Sequence, residues 1–270
     1  MTDLAGYDAI KARHTGANGR GAREGSREPL QLVHFRDMRA LLDGRPLVKW
    51  MLDCQQTSLI VGESGSGKTF LAIDLALHVA AGLTWFGRKV AAGPVIYVAA
   101  EAGRNIANRV AAWRDQHQPD ETISFGAVTS PVDLCHPEVC DVDRLIATIR
   151  EAGFDEPVLI VIDTVSRVLA GGNENGPDDM GALVRSLDRL RDELRCHVCA
   201  VHHLGKDATR GGRGHSLLHC AVDTEIAVAR NGNAGIATAT VTKQRDGIAG
   251  GRSRSGCGRS SWAGTPTATR

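Results

Sequence analysis

The sequence has few aromatic residues, no marked excess of charge of either sign and no long hydrophobic run. Phe, Trp and Tyr make up 4% of its 270 residues, and 32 Lys and Arg balance 31 Asp and Glu to a formal charge of +1. Because no global basic field attracts nucleic acid, any such binding must come from local patches. The longest apolar stretch, residues 70–83, contains Asp74 and His78 and is too short to cross a bilayer, so no membrane partner is expected.

Signals for export and for a disulfide framework are also missing. The first thirty residues contain no apolar segment of the kind that a secretory signal requires. The seven cysteines follow no framework spacing, and Cys196 and Cys199 fall in a predicted strand, where residues three apart point to opposite faces. We therefore expect a cytoplasmic protein. We also expect packed free thiols rather than zinc ligands both at Cys196 and Cys199 and in the second candidate pattern, Cys135-His136 with Cys140.

Apolar runs and amphipathic segments alternate along the middle of the chain. Strands are predicted at residues 57–61, 94–100, 122–128, 157–163, 196–203, 222–230 and 236–244. Helices are predicted at residues 67–81, 105–116, 142–152 and 180–195. Strands separated by helices pair in parallel, whereas the turn Asn231-Gly232-Asn233 joins the last two strands as an antiparallel hairpin. The expected fold class is α/β, with a mostly parallel, doubly wound sheet flanked by helices and the hairpin at its C-terminal edge.

Composition divides the chain into three parts. Residues 1–28 lack hydrophobic periodicity and are predicted to be a flexible N-terminal arm, residues 29–250 carry the α/β domain, and residues 251–270 form an irregular tail. The tail has four Arg and no acidic residue, a composition that is typical of disorder. A second hypothesis is that a frameshift replaced the final strand, because one base earlier the codons for 255–269 permit a strand and a turn. The nucleotide sequence of the gene tests this hypothesis.

The most specific motif is a glycine-rich loop between a predicted strand and a predicted helix. It matches G-x-x-x-x-G-K-[ST] in full and consists of Gly62, Glu63, Ser64, Gly65, Ser66, Gly67, Lys68 and Thr69. Its glycines let successive backbone amides point at phosphate oxygens, and the helix N-terminus adds its dipole. Lys68 supplies positive charge to the β- and γ-phosphates, and Thr69 offers its hydroxyl to Mg²⁺. The sequence therefore predicts a nucleoside triphosphate site.

Two acidic residues follow predicted strands at the edge where a parallel sheet places its ligands. Asp163 ends the apolar run 157–163 and is predicted to hold Mg²⁺ together with Thr69, although Asp at such a position also occurs as a helix N-cap. Glu101 follows the run 94–100 and is predicted to polarise the water that attacks the γ-phosphate, the alternative again being a helix cap. Both predictions require the two strand ends to lie beside the glycine-rich loop.

Further motifs follow in a fixed order after Glu101. They are the runs HHLGK at 202–206, RGHSLL at 213–218 and TKQRDG at 242–247. This ordered series resembles the RecA-like hexameric P-loop ATPases, and most closely the RepA-type replicative DNA helicases, which are AAA/RecA-like ATPases of plasmids and phages. The resemblance extends over roughly residues 30–248. It implies a RecA-like fold, ATP and Mg²⁺ as cofactors, and Glu101 as the catalytic base.

The resemblance also implies roles for two histidines and two arginines. His202 and His203 match the strand end where a γ-phosphate sensor lies, and either of them fits that role. Arg213 matches an arginine finger that reaches the nucleotide of a neighbouring subunit. Arg245 belongs to a Lys-x-Arg element similar to the one that DnaB-type helicases insert across the same interface, so either arginine fits the role in trans. The implied assembly is a homo-oligomeric ring, with a hexamer expected.

The function implied by the resemblance is ATP hydrolysis coupled to translocation on single-stranded DNA by a replicative helicase. Lys206 and Arg210, in the loop 204–214, are the expected nucleic-acid contacts, although a solvated loop with scattered charges has the same composition. Three alternatives stay open. They are a RecA- or KaiC-like ATPase with a recombination or regulatory role and no unwinding, a small-molecule P-loop kinase, and a decayed copy that binds ATP without assembling.

Overall fold

A computed structural model describes residues 32–38, 46–120, 122–204, 213–230, 237–245 and 260–262, with the backbone alone at 213–215 and 260–262. The chain divides into two units, residues 1–42 and 43–270. In the first unit the described residues form one exposed turn of 3₁₀-helix, Phe35–Asp37. The arm predicted at 1–28 and most of the tail predicted at 251–270 lie outside the described residues, so both remain predictions, as does the frameshift.

The second unit is built on an eight-stranded sheet beside a small two-stranded one. The small sheet pairs β1 (Pro46–Val48) with β2 (Leu52–Asp53). The large sheet contains β3 (Thr57–Gly62), β4 (Val95–Val98), β5 (Phe125–Val128), β6 (Leu159–Asp163), β7 (His197–His203), β8 (Thr224–Arg230), β9 (Ala237–Gln244) and β10 (Ser260–Trp262). Its order is β10-β9-β8-β3-β7-β6-β4-β5, in which the pairs β8–β9 and β9–β10 are antiparallel and all the other pairs are parallel. This arrangement confirms the predicted fold class, including the C-terminal hairpin.

Six helices connect the strands within the described residues. They are α1 (Lys68–Ala81), α2 (Ile106–His117), α3 (Val142–Glu151), α4 (Val165–Val168), α5 (Pro177–Leu194) and α6 (Arg213–Ala221). A short 3₁₀ turn, Gly103–Asn105, precedes α2. The sequence pattern missed α4, which has only four residues, and α6, whose first residues fall in the loop predicted at 204–214. It also placed the start of α5 three residues late, because Pro177 begins that helix at a position where proline is favoured. None of the described helices combines the length and the apolar character needed to span a membrane.

The sheet separates two hydrophobic cores. Ile160 and Ile162 of β6 belong to one core, and the alternate residues Leu159 and Val161 belong to the other. This explains why the strand is apolar up to its last residue, Asp163, since both of its faces are covered. Helices α3 and α5 cover the first face, whereas α1 and α2 cover the second. Each fully buried aliphatic side chain of this kind contributes about 1.5–3 kcal/mol.

Strand register determines which chain segments meet at the carboxyl edge of the sheet. The last residue of β3, Gly62, is paired with His203 of β7, and Asp163 at the end of β6 is paired with Val201. The backbone amide of Glu101 donates to the Asp163 carbonyl oxygen at 2.9 Å, which ties the segment after β4 to the end of β6. The ends of β3, β7, β6 and β4 are therefore held side by side.

Candidate nucleotide site

The glycine-rich loop connects β3 directly to α1. β3 ends at Gly62, and α1 begins at Lys68 with Gly67 as its N-cap. Gly67 has no side chain that could accept a hydrogen bond from the backbone amides in the first turn of α1, so it leaves them uncapped. Amides at this position are the groups that bind an anion at a helix N-terminus. The Ser66 hydroxyl is buried and has no hydrogen-bond partner among the described residues. The loop thus presents backbone donors and one buried hydroxyl, as a phosphate site requires.

Gly62 brings the loop into close contact with β8. A Cβ atom at this position would lie 2.2 Å from the Val228 carbonyl oxygen, a backbone atom that has no freedom to move aside. The glycine is therefore required by the approach of two backbones.

We expect Gly62→Ala to lower the free energy of unfolding by about 3 kcal/mol, because the new methyl group must displace a strand. Gly65→Ala is the matched control. Its φ is +77° and its Cβ would meet no atom within 4 Å, so only backbone strain of about 1 kcal/mol is expected. Urea denaturation of the two variants measures the difference, and an equal loss in both would contradict the close contact.

Lys68 lies folded over its own loop. Its side chain is 3% exposed, and Nζ donates to the carbonyl oxygens of Gly62 at 2.9 Å and Glu63 at 2.8 Å. Burial lowers the pKa of the ammonium group, while the carboxylates of Glu101 and Asp163 oppose this shift. Because an ammonium group has three donors, these contacts leave one donor available.

Asp163 is fully buried and receives hydrogen bonds from two neighbouring elements. The Tyr97 hydroxyl of β4 donates to Oδ2 at 2.7 Å, and the Thr69 hydroxyl of α1 donates to Oδ1 at 3.4 Å. Burial raises the pKa of this carboxyl group, and the two hydrogen bonds oppose the rise. The N-cap residue of α4 is Thr164, so Asp163 does not occupy the capping position that was the alternative interpretation. The hydroxyl and the carboxylate are hard oxygen donors in contact, which fits Mg²⁺.

Glu101 lies at the same edge with its carboxylate open to solvent. Its side chain is 42% exposed, and Oε2 lies 3.3 Å from Nε2 of His203. The neighbouring His202 is 3% exposed and belongs to the buried part of β7. The two adjacent histidines are thus in different environments, and it is His203 that contacts the candidate base.

The candidate trans residues are only partly described. The side chain of Arg213 and all of Lys206 and Arg210 lie outside the described residues, although the backbone of Arg213 begins α6. Arg245 lies at the far end of β3 from the loop, because its partner Asp223 accepts from the backbone amide of Thr57, the first residue of that strand. Its own chain therefore does not bring Arg245 to the glycine-rich loop.

Arg245 is also held by α6. Its Nη2 donates to the Cys220 carbonyl oxygen at 2.7 Å, and Nη1 lies 3.3 Å from Asp223 Oδ1. Lys243 donates to the carbonyl oxygens of His219 and Cys220. Both basic side chains thus bind carbonyl groups in the last turn of the helix that Arg213 begins, an interaction that stabilises a helix C-terminus.

Three sets of contacts, two at the carboxyl edge and one at the opposite end of β3, have no signal in the sequence. The Tyr97 hydroxyl bond to Asp163, the Glu101–His203 contact and the Arg245 contacts join residues that are 22 to 102 positions apart.

The cysteine patterns agree with the expectation of packed thiols, because Cys196 and Cys199 are buried and burial raises the pKa of each to about 12.

Comparisons with known proteins show the family and the fold of the chain. The family model described as an AAA domain matches residues 26–209. Among solved structures, the crystal structure of the RadB recombinase matches with a TM-score of 0.50 and 16% sequence identity, covering 72% of this chain and 83% of that chain. At this identity the likeness shows the fold alone, which is RecA-like. No curated protein sequence matches the chain.

Proposed function

The chain belongs to the AAA domain family, and on this premise we propose that it is a Mg²⁺-dependent ATP hydrolase of the RecA-like class. The observation that carries the proposal is the meeting of Lys68, Asp163 and Glu101 at one edge of the sheet, beside a loop with uncapped helix amides. The three side chains come from three different elements. Their residue types supply the charge, the metal ligand and the base that phosphoryl transfer to water requires.

The proposed reaction uses these residues in turn. The loop amides and Lys68 bind the β- and γ-phosphates, with the ammonium group exchanging loop carbonyl contacts for phosphate oxygens. Thr69 and Asp163 hold Mg²⁺, which when bound neutralises phosphate charge. Glu101 accepts a proton from water as the water oxygen bonds to the γ-phosphorus in line and the bond to the β–γ bridging oxygen breaks, so ADP and inorganic phosphate leave. His203 positions the Glu101 carboxylate and senses the γ-phosphate.

Completion of the site by a neighbouring subunit is part of the proposal. Arg213 is favoured over Arg245 as the finger, because the guanidinium of Arg245 is already engaged by Asp223 and by the Cys220 carbonyl oxygen of its own chain. Arg245 and Lys243 act instead by holding the last turn of α6, the helix that begins with Arg213. A finger supplied in trans stabilises charge on the transferred phosphoryl group and makes turnover depend on assembly, here a ring.

Mixing two inactive variants tests the trans arrangement. We expect Arg213→Ala subunits mixed with Lys68→Ala subunits to recover part of the wild-type rate of phosphate release, because some interfaces then pair an intact loop with an intact finger. Each variant alone is the baseline, and Arg245→Ala mixed with Lys68→Ala is the matched comparison. Recovery with Arg245→Ala and not with Arg213→Ala would assign the finger to Arg245, and no recovery at any ratio in either mixture would refute a trans finger.

Two DNA-directed roles are considered for the ATPase, a helicase role and a recombination role. The motif series supports a replicative helicase of the RepA type, whereas the comparisons extend only to the RecA-like ATPases and include a protein titled a recombinase. The measurement is ATP hydrolysis with and without single-stranded DNA, followed by strand displacement and strand exchange assays. We expect stimulation by single-stranded DNA, with displacement supporting the helicase and exchange alone supporting the recombination role. Hydrolysis that no nucleic acid stimulates would contradict both, and phosphate transferred to a small acceptor would indicate a kinase.

A further inference from the structure

A second group of titratable side chains lies where α1 meets α2, further along α1 than the residues of the glycine-rich loop. Asp74 and His78 are one turn apart on α1, and His117 is the last residue of α2. The carboxylate oxygen and ring nitrogens that these residues offer all lie within 4.8 Å of one another. No other group of three or more potential metal ligands among the described residues comes this close together.

Two buried indoles fix the carboxylate. Trp85 Nε1 donates to Asp74 Oδ2 at 2.9 Å, and Trp113 Nε1 donates to Oδ1 at 3.2 Å. Each carboxylate oxygen has two lone pairs, so an oxygen that accepts one indole hydrogen bond still has an acceptor position for a cation. Carboxylates that bind metal ions are usually held by hydrogen bonds in this way.

The two imidazoles are held by the same aromatic group. His117 stacks on Trp113 with a centroid distance of 4.5 Å, and His78 meets Trp113 edge-on at 5.4 Å and His117 at 5.0 Å. His78 Nδ1 also lies 3.2 Å from Asp74 Oδ1. These contacts hold the two imidazoles side by side, next to the Asp74 carboxylate.

We propose that Asp74, His78 and His117 form a binding site for a divalent transition-metal ion, with Zn²⁺ as the best fit. Two imidazole nitrogens and one carboxylate oxygen are the donor set that Zn²⁺ accepts, and three protein ligands leave a fourth position for solvent. Ligands about 2.0–2.1 Å from a tetrahedral ion lie about 3.3 Å from one another. The ligand atoms, which now lie within 4.8 Å of one another, therefore need to approach by at most about 1.5 Å.

The position of the site defines its effect on the fold. Asp74 lies six residues after Lys68 on α1, about 9 Å along the helix axis, so the ion does not reach the phosphates. It joins the helix that begins at the glycine-rich loop to the helix that follows Glu101. The ion is thus a structural link between two catalytic segments, and this inference holds whether or not the chain hydrolyses ATP.

Metal binding by the full-length chain, stripped of metal by chelation, tests the proposal. We expect Zn²⁺ to bind with one equivalent at this site, His117→Ala to weaken the affinity by about 100-fold or more, and His34→Ala, an exposed histidine elsewhere, to leave the affinity unchanged. Co²⁺ in the same site should give visible d–d absorption without thiolate-to-metal charge transfer. Charge-transfer bands in the wild type would place the ion on cysteines and overturn the assignment.

Thermal unfolding separates loss of the site from loss of the fold. We expect Zn²⁺ to raise the unfolding temperature of the wild type and not that of His117→Ala, whose metal-free unfolding temperature stays near that of the wild type because His117 ends its helix and is partly exposed. If the alanine variant proves unstable, His117→Gln, which retains a side chain against Trp113, makes the same comparison. Equal Zn²⁺ affinity in the wild type and in both variants would refute the site.

Discussion

Lys68→Ala is expected to reduce the rate of ATP hydrolysis by at least about 100-fold and to weaken ATP binding. The buried ammonium group is the cation that the structure places within the glycine-rich loop, where it contacts the carbonyl oxygens of Gly62 and Glu63. Its removal takes away the charge that stabilises the phosphoryl group as negative charge builds on it. Release of inorganic phosphate under saturating ATP measures the rate, and calorimetric titration with a non-hydrolysable analogue measures the affinity.

A matched control separates this effect from a general loss of positive charge. Lys49 is exposed and lies over the Trp50 ring at 5.2 Å, away from the loop. We expect Lys49→Ala to retain wild-type turnover and affinity. Turnover by Lys68→Ala within a few-fold of the wild type would mean that the loop does not bind the phosphates that react.

Glu101→Gln is expected to bind ATP with nearly unchanged affinity and to hydrolyse it about 100-fold or more slowly. The amide preserves the shape of the side chain and its approach to His203, which lies 3.3 Å away, but it cannot accept a proton from water. Because the carboxylate is 42% exposed, its loss leaves no buried partner unsatisfied. Single-turnover kinetics with the variant measure the chemical step directly.

The control for this substitution is Glu151→Gln, which changes the same chemical group on the surface of α3. It should retain the wild-type rate. If Glu101→Gln instead lost ATP affinity in proportion to its rate, Glu101 would be a structural residue at the end of β4 and another group would have to be the base.

The fold was predictable because its signals are local. The run 157–163 is apolar at every position before Asp163, which indicates a strand covered on both faces, and the structure places β6 at Leu159–Asp163 between two cores. The elements that differ are those with weak periodicity. The strand predicted at 122–128 begins only at Phe125, and the four-residue helix α4 is too short for any period to define.

The candidate site also has residues that the sequence predicts and contacts that it does not predict. Residues 62–69 form a contiguous motif, and the positions of Asp163 and Glu101 follow from a general rule, since parallel strands end at one edge. Contacts made between side chains of different elements have no such rule. The pairing of Glu101 with His203 depends on strand order.

The proposed group of metal ligands has no complete signal in the sequence, for a related reason. Asp74 and His78 are visible on one face of α1, but the third ligand, His117, comes from a helix whose packing against α1 the sequence does not specify. From the sequence alone, Asp74 and His78 indicate only that the apolar stretch 70–83 contains polar residues. A pair of ligands at helical spacing becomes a site only when tertiary structure brings another residue to it.

The most direct test of the central claim is the rate of ATP hydrolysis per subunit, measured across a wide range of protein concentration with light scattering at each point. The account holds that the loop at 62–69 binds ATP and that a neighbouring copy completes the site. The rate per subunit should therefore be negligible for the monomer, rise steeply as subunits assemble and then reach a plateau. A rate per subunit that is the same in monomer and assembly would contradict the trans arrangement, and no hydrolysis at any concentration would contradict the assignment as an ATPase.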